Sequence, residues 1–369
     1  MEKEKFSISA DNLRAALEKG EQVLVLDVRP LEQRQEWQIP ESKHLEVYED
    51  LKSGDYSKLQ QAEIPANTKV ITVCAAGRIS QVAASALREA GIQAFSLEGG
   101  MKAWSSAWNT ARLQDEKITV IQIRRTGKGC LSYMVASDNE AIVIDASLDR
   151  DIYVKLAEEN GWKIKYVLDT HIHADHLSRS LALSQYTHAG LYMPDQDKLQ
   201  YPVNKVKNGD ILYFGSAQLK AIHTPGHTME SMTYAVNEHY LFTGDTLFTE
   251  GVGRPDLKAE EAELKKRAGL LYQSLSKLMG MNPDYLVLPG HASKPVPFDN
   301  LVIASTLKDI KEKVPALKLA ENDFIDNILS KIPPTPPNYK TIVELNLVGD
   351  TQSIDPAEVE GGANRCAIN

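Results

Sequence analysis

The chain has 369 residues, 43% hydrophobic and 25% charged, a composition typical of a globular protein with room for two ordinary domains. Lysine and arginine total 41 against 50 acidic residues, a formal net charge of −9, which argues against nucleic acid or an anionic membrane as a main partner. No apolar run reaches the roughly 18 residues of a transmembrane helix, no apolar signal segment follows the N-terminus, and three cysteines are too few for a disulfide framework, so we expect a cytoplasmic protein.

The first third of the chain alternates strands and helices. The predicted elements are helices at Asp11–Lys19 and Ser80–Ala90 and buried strands at Val23–Asp27 and Val70–Val73. This alternation predicts a small α/β domain with a mainly parallel sheet over residues 1–112. Residues 109–117 show no apolar periodicity and are expected to form a linker.

Cys74 lies at the end of the second predicted strand, just before a helix. In the segment Cys74-Ala75-Ala76-Gly77-Arg78-Ile79-Ser80, backbone N–H groups at the strand-to-helix turn would stabilise a thiolate or a persulfide, Cys–S–S⁻. A lone cysteine is more often a small buried hydrophobic residue. Its position at this turn nevertheless favours a reactive thiol.

The rest of the chain, residues 113–369, predicts a second domain with a C-terminal extension. The predicted strands are Ile118–Ile123, Leu131–Val135 and Ala141–Asp145, and the predicted helices are Asp149–Asn160, His176–Thr187, Lys258–Met279 and Leu301–Leu319. The segment Pro333–Pro337 interrupts regular structure. The tail to Asn369 is expected to lie along the surface of the domain.

Three histidines and an aspartate follow the apolar run Tyr166–Leu168. The segment reads Thr170-His171-Ile172-His173-Ala174-Asp175-His176. Extended backbone sends His171 and His173 to one side, and the start of the next helix offers Asp175 and His176. Burying such a cluster without partners would cost several kcal/mol. The pattern therefore predicts a metal site.

Further residues with ligand-type side chains follow other predicted strands. His227 comes after the Pro225-Gly226 turn, Asp245 follows the strand Leu241–Gly244, and His291 follows Val287-Leu288-Pro289-Gly290. Separate strand ends thus deliver ligands to one edge of a sheet.

These residues resemble, in order, the metal-site pattern of the metallo-β-lactamase-fold hydrolases and oxidoreductases. The resemblance covers roughly Asp115 to Lys294 and implies a four-layer αββα sandwich.

The first domain resembles a single-domain rhodanese, a sulfurtransferase, over about residues 7 to 108. Asp27-Val28-Arg29 resembles an early strand motif, and Leu97-Glu98-Gly99-Gly100-Met101-Lys102-Ala103-Trp104 resembles the closing motif. The resemblance implies that Cys74 carries sulfane sulfur and that Arg78 assists it. The chain departs from the family in two places. Arg78 is the fifth residue of the active loop, where the family has its arginine sixth, and Trp37-Gln38-Ile39-Pro40-Glu41 replaces Gly-His-Ile-Pro-Gly.

The pairing of the two domains resembles the persulfide dioxygenases. These use one Fe(II) per chain and O₂ to oxidise a small thiol persulfide to sulfite, and the rhodanese would exchange sulfur with sulfite or thiosulfate. Carried over by position, the iron ligands are His171, His227 and Asp245, a facial set that leaves coordination positions open. The outer residues are then His173, Asp175, His176 and His291. Gly251-Val252-Gly253-Arg254-Pro255-Asp256 resembles a motif of the group, and Arg254 is expected to bind an anionic substrate.

Two other functions remain open at this point. A hydrolase of the glyoxalase II kind would hold two zinc ions or mixed metals: His171, His173 and His227 on one, Asp175, His176 and His291 on the other, with Asp245 bridging. Alternatively, the second domain is not catalytic, and the chain presents Cys74 persulfide to partner proteins. Dimers or larger assemblies are common in the family, so a homo-oligomer also stays open. Cys130 is expected to be structural, and Cys366 is ambiguous.

Overall fold

The computed structural model describes residues 6–65, 67–256, 261–335, 338–351, 353–360 and 365–368. In the first domain the strands are β1 (Ser7–Ile8), β2 (Val23–Asp27), β3 (Lys43–His44), β4 (Lys69–Val73) and β5 (Ala94–Leu97). The helices are α1 (Ala10–Glu18), α2 (Leu31–Glu36), α3 (Tyr48–Ser53), α4 (Ser57–Gln60), α5 (Arg78–Glu89) and α6 (Gly100–Trp104).

The first domain is a five-stranded parallel sheet in the order β1-β5-β4-β2-β3. Its central strands, β2 and β4, are apolar because helices cover both faces of a parallel sheet. The predicted strand Val23–Asp27 is confirmed at its bounds, and the predicted strand and helix on either side of Cys74 agree with β4 and α5 within two residues at each end.

The second domain begins with strands and contains two large sheets. Its strands are β6 (Asn109–Gln114), β7 (Thr119–Arg124), β8 (Leu131–Ser137), β9 (Glu140–Ile144), β10 (Lys163–Leu168), β11 (Gly190–Pro194), β12 (Asn204–Val206), β13 (Ile211–Phe214), β14 (Ala217–His223), β15 (Met232–Val236), β16 (Tyr240–Gly244), β17 (Val252–Gly253), β18 (Leu286–Pro289), β19 (Ser305–Thr306) and β20 (Ala367–Ile368). Its helices are α7 (Arg150–Asn160), α8 (Ser180–Thr187), α9 (Glu261–Met279), α10 (Leu307–Lys313), α11 (Glu321–Ser330), α12 (Tyr339–Val348) and α13 (Pro356–Val359).

These elements form four layers. One sheet has the order β12-β11-β10-β9-β8-β7-β6 and the other β13-β14-β15-β16-β18-β19. Side chains such as Ile142, Tyr234 and Phe242 fill the space between the sheets. The outer face of the first sheet packs against α7, α8 and α12, and that of the second against α9, α10 and α11. The predicted αββα sandwich is confirmed.

Residues 109–117 are not the predicted linker. Asn109–Gln114 forms the edge strand β6, which pairs antiparallel with β7 over its whole length. The prediction was wrong because only Ala111 and Leu113 of this short strand are apolar, too few to reveal its alternation. The seven-stranded sheet therefore includes the chain from Asn109 onward.

Three further predictions need correction. Helix α8 begins at Ser180, so Asp175 and His176 lie on a loop instead of a helix. The expected helix from Leu301 to Leu319 is shorter, since α10 ends at Lys313 and a 3₁₀ turn starts at Pro315, a residue that disrupts helices. The expected helix start at Lys258 lies outside the described residues.

Contrary to the expectation, the last described residues of the C-terminal tail do not lie on the surface. Cys366 and Ile368 are buried, and β20 pairs with β17 close to the metal-site residues. Among the described residues, no helix is both long and apolar enough to cross a membrane.

The two domains meet through a loop that links β7 to β8. The Trp37 indole N–H donates to the carbonyl of Thr126 at 3.0 Å, and its ring lies against Gly129. Gly127 lies so close to the Trp104 carbonyl that a Cβ would collide with it. Trp37, which stands where the rhodanese pattern has glycine, is thus a domain contact.

Candidate metal centre and thiol site

The predicted metal-site residues are brought together at one edge of the sandwich. His171, His173, Asp175 and His176 lie on the loop between β10 and α8, and His227, Asp245 and His291 follow β14, β16 and β18. All seven side chains are buried. Gly253 permits this packing, because a Cβ there would collide with the carbonyl oxygen of Asp245.

Three of these residues face one another with free ligand atoms. His171 Nε2 and His227 Nε2 lie 3.9 Å and 3.7 Å from Asp245 Oδ2. Two of these atoms, His171 Nε2 and Asp245 Oδ2, are buried without a hydrogen-bond partner. Burying unpaired polar atoms is costly, and two imidazole nitrogens with one carboxylate oxygen suit a divalent transition metal. The donor set therefore fits a metal ion.

The second polar atom of each of these three side chains contacts a neighbouring residue. His171 Nδ1 lies 3.0 Å from Thr170 Oγ1, and His227 Nδ1 lies 2.8 Å from the Arg254 carbonyl. Asp245 Oδ1 lies 2.6 Å from His291 Nδ1. Such outer contacts orient the ligands and select the imidazole tautomer.

Electrostatics prepare His171 and Asp245 for a cation. Burial, together with the neighbouring His173, holds the pKa of His171 well below its usual value, so its ring is neutral. Burial raises the pKa of Asp245, but His291 and the other imidazoles outweigh this and lower it. A neutral imidazole and an ionised carboxylate are the forms that bind metal.

His173 lies beside His171, with ring centroids 4.3 Å apart, and its Nδ1 is buried without a hydrogen-bond partner, but its other nitrogen is held by a different carboxylate. Its Nε2 lies 3.1 Å from Asp145 Oδ1, and Asp145 also accepts from the Thr170 backbone N–H at 2.6 Å. His173 groups with Asp145 and Asp169, whereas His171 groups with His227 and Asp245.

A second cluster adjoins the first and contains a cysteine. Cys130, Asp175, His176 and His291 have ligand atoms within 4.8 Å of one another. Burial and Asp175 raise the pKa of the Cys130 thiol, but His176 and His291 outweigh them and lower it to about 7. Cys130, which the sequence led us to expect as structural, lies within this cluster, and Cys366 groups with Asp245 and His291. In the sequence, the feature that could have indicated this location is the position of Cys130 directly after Gly127-Lys128-Gly129 and before a strand.

Arg254 does not have the environment expected of a substrate-binding residue. Its side chain is fully buried and forms an ion pair with Asp256 at 2.7 Å. All five guanidinium N–H groups have acceptors within the chain: two donate to Asp256 and three to the carbonyls of Pro333, Pro334 and Arg365. The Arg254 side chain therefore stabilises the surrounding chain segments, and its backbone carbonyl orients His227.

The loop from His173 to Arg179 is supported by the C-terminal region. Asn346 Nδ2 donates to the carbonyls of His173 and His176, both at 2.9 Å. Asn346 Oδ1 accepts from the Ser178 N–H, also at 2.9 Å. This buried residue of α12 was not found from the sequence, because asparagine in a helix has no distinctive pattern.

Cys74 occupies the predicted strand-to-helix turn. Its Sγ is buried and accepts from the Gly77 N–H at 3.2 Å and from Ser80 Oγ at 3.3 Å. The loop packs tightly on Gly100, where a Cβ would collide with the Cys74 carbonyl. Arg78, the first residue of α5, is exposed. These two donors stabilise negative charge on Cys74 Sγ.

Comparison with known proteins identifies both domains. Residues 9–107 match the rhodanese-like domain, and residues 125–291 match the metallo-beta-lactamase superfamily. The chain is a rhodanese domain joined to a metallo-beta-lactamase domain. The candidate metal centre thus lies in the metallo-beta-lactamase domain, and Cys74 lies in the rhodanese-like domain.

Curated relatives of the second domain are hydrolases by name. The hydroxyacylglutathione hydrolase of Francisella tularensis subsp. novicida is 32% identical over 161 residues, which are 43% of this chain and 61% of that protein. The enzyme of the same name from Francisella philomiragia is 34% identical over the same length. The chain therefore spans less than two thirds of the length of these relatives.

Two solved structures resemble most of the chain. A metallo-beta-lactamase from Staphylococcus aureus subsp. aureus COL has 27% identity and a TM-score of 0.58, covering 63% of this chain and 74% of its own. ETHE1 from Myxococcus xanthus has 25% identity and a TM-score of 0.54, covering 65% of this chain and 99% of its own.

Proposed function

We propose that the chain is a persulfide dioxygenase fused to a sulfurtransferase. The substrate is a small thiol persulfide, which O₂ and water convert to the free thiol, sulfite and two protons. The sulfane sulfur loses four electrons in this reaction, and one O₂ accepts them. The rhodanese domain supplies or removes sulfane sulfur through Cys74.

The single observation that carries this proposal is the grouping of His171, His227 and Asp245 apart from His173. A glyoxalase II-like dinuclear centre needs His173 on the same metal as His171 and His227, whereas the ligand atoms within 4.8 Å of one another here are those of His171, His227 and Asp245, and His173 groups with Asp145 and Asp169. Three protein ligands leave open positions at which substrate and oxidant can meet. The similarity to ETHE1, whose chain is covered almost completely, supports the same conclusion.

Fe(II), when bound, would supply the redox chemistry that activates O₂ beside a coordinated sulfur anion. The chain's own residues prepare that site. Thr170 and the Arg254 carbonyl fix the two imidazoles, and His291 holds Asp245. Burial excludes water, so the reactive sulfur is protected from side reactions.

The sulfurtransferase half requires Cys74 as a thiolate. The thiolate attacks the outer sulfur of thiosulfate, the S–S bond of thiosulfate breaks, and sulfite leaves with the bonding pair. The resulting Cys74 persulfide then passes its outer sulfur to a small thiol, which becomes the persulfide substrate. The Gly77 N–H and Ser80 hydroxyl donate to Cys74 Sγ and stabilise the attacking thiolate.

Metal analysis and an oxygen electrode test this proposal. Anaerobically purified full-length chain should contain one iron per chain, consume O₂ with glutathione persulfide and release sulfite. Absence of O₂ uptake with glutathione, coenzyme A and other small-thiol persulfides would reject the dioxygenase.

A thioester hydrolase is the second candidate, and two observations favour it. The Francisella relatives are named hydroxyacylglutathione hydrolases, and Asp175, His176 and His291 form a second ligand cluster beside the first. Two metal ions per chain together with hydrolysis of a glutathione thioester in the absence of O₂ would establish it.

A further inference from the structure

The loop that carries the metal-site residues is held from the C-terminal side by a buried carboxylate. Glu360 Oε1 accepts a hydrogen bond from the backbone N–H of Leu177 at 2.7 Å, and Leu177 directly follows His176. Glu360 Oε2 lies 2.5 Å from a guanidinium nitrogen of Arg125, and the two side chains are 0% and 1% exposed. One side chain thus connects the metal loop to a residue at the domain junction.

Arg125 continues this connection into the rhodanese domain. Its Nε donates to the carbonyl of Ser105 at 2.9 Å, just beyond the end of α6. Lys128 Nζ, on the same junction loop, donates to the Glu360 carbonyl at 2.8 Å. Glu360 therefore lies between the metal loop on one side and the junction between the domains on the other.

The carboxylate of Glu360 also neutralises the buried positive charge of Arg125. Burial lowers the pKa of Arg125, but Glu360, with smaller contributions from Cys130 and Asp175, outweighs burial and raises it. An ion buried without its partner is strongly destabilising. Without Glu360, the buried Arg125 guanidinium would lose its carboxylate partner.

We propose that Glu360 is a positioning residue of the metal centre. It fixes the backbone next to His176 and neutralises Arg125, so that the docking of the rhodanese domain sets the geometry of the metal loop. The inference concerns metal binding and does not depend on which reaction the centre performs.

Substitutions of Glu360 in the full-length chain test the proposal. Glu360→Gln keeps an oxygen for Leu177 but loses the ion pair, and Glu360→Ala loses both. Since contacts behind metal ligands change metal affinity about 10- to 100-fold, we expect Fe(II) and Zn(II) affinities to fall about 10-fold in the first variant and about 100-fold in the second. The electron paramagnetic resonance spectrum of the nitric oxide complex of the Fe(II) protein should broaden in Glu360→Ala.

Glu358→Gln is the matched control. It makes the same change two residues away, in an exposed ion pair with Lys102 whose Glu358 side chain is 63% exposed, and it should leave metal affinity and the spectrum unchanged. Thermal unfolding followed by circular dichroism reports folding in every variant. A folded Glu360→Ala protein with metal affinity within about twofold of the unaltered chain, and with the same spectrum, would overturn the proposal.

A measurement on the unaltered chain decides the question if the alanine variant does not fold. The Leu177 amide should be strongly protected from hydrogen exchange, and exchange at the rate of an exposed amide would contradict its bond to Glu360. Weakened Zn(II) binding in Glu360→Gln, in a chain that shows no O₂ uptake, would remove the proposed dioxygenase function and leave this inference intact.

Discussion

At the scale of single residues, the two reactive groups belong to different domains and share no contact within the described part of the chain. Cys74 is held by the Gly77 N–H and the Ser80 hydroxyl, whereas His171 is held by Thr170. Separate surroundings imply that each group can be removed without disturbing the other.

Cys74→Ser and His171→Ala should therefore separate the two activities. The serine variant should lose sulfur transfer from thiosulfate by at least about 1000-fold, because an alcohol is a poor nucleophile for sulfur, and should keep O₂ uptake with added persulfide. The alanine variant should show the reverse. Loss of both activities in either folded variant would show that the sites depend on each other.

The role of Arg254 can be settled by a substitution that keeps its charge. In Arg254→Lys, three ammonium donors replace the five of a buried guanidinium, so the stability of the chain should fall by about 3 kcal/mol. The midpoint of thermal unfolding measures this loss. A substrate-binding Arg254 would instead raise KM and leave the unfolding midpoint unchanged.

At the scale of elements, the strand ends supply the ligands and a C-terminal helix supports their loop. The loop between β10 and α8 has no regular backbone hydrogen bonding, so its carbonyls need other donors. Asn346 of α12 provides two of them. The extension beyond the two large sheets is consequently part of the metal centre.

Asn346→Ala should weaken both the fold and the metal site. It leaves two buried carbonyls and one N–H without partners, so we expect a loss of about 2–4 kcal/mol of stability and metal affinity about 10-fold lower. Chemical denaturation and competition with a chelator measure the two effects. Glu344→Ala, an exposed position on the same helix, is the control, and equal behaviour of the two variants would contradict the role of Asn346.

At the scale of the whole molecule, the domains are joined by specific contacts instead of a flexible linker. Trp37 donates to Thr126 and packs on Gly129, the residue before Cys130. Ala292, the residue after His291, donates its N–H to the Gly129 carbonyl at 2.8 Å. The junction is therefore only a few residues from the metal cluster.

Trp37→Ala should loosen the junction. Removal of a buried tryptophan costs about 3–5 kcal/mol, and we expect the two domains to unfold in separate calorimetric transitions in place of a shared one. Gln35→Ala, at an exposed position nearby, should keep the behaviour of the unaltered chain. A single unchanged transition in Trp37→Ala would mean that the tryptophan does not hold the domains together.

Local sequence patterns were sufficient to predict those elements whose conformation depends on neighbouring residues in the chain. The periods of apolar residues predicted β2, β4 and α5, and the spacing of His171, His173, Asp175 and His176 indicated a metal site before any packing was known. The edge strand β6 was missed because only Ala111 and Leu113 of its six residues are apolar, too few to reveal the alternation on which such predictions depend. The start of α8 was misplaced because the metal loop takes its conformation from distant partners such as Asn346.

By itself, the sequence determined the two domains, their families' folds and the candidate ligands, because strand and helix periods and closely spaced motifs are local properties of the chain. Only the tertiary structure showed which candidate ligands lie together and that Arg254 pairs with Asp256. It also placed Cys130, Cys366, Asn346 and Glu360 beside the candidate ligands or their loop. These contacts join residues that are far apart in the chain. They depend on side-chain direction and burial, and no local sequence pattern encodes either property.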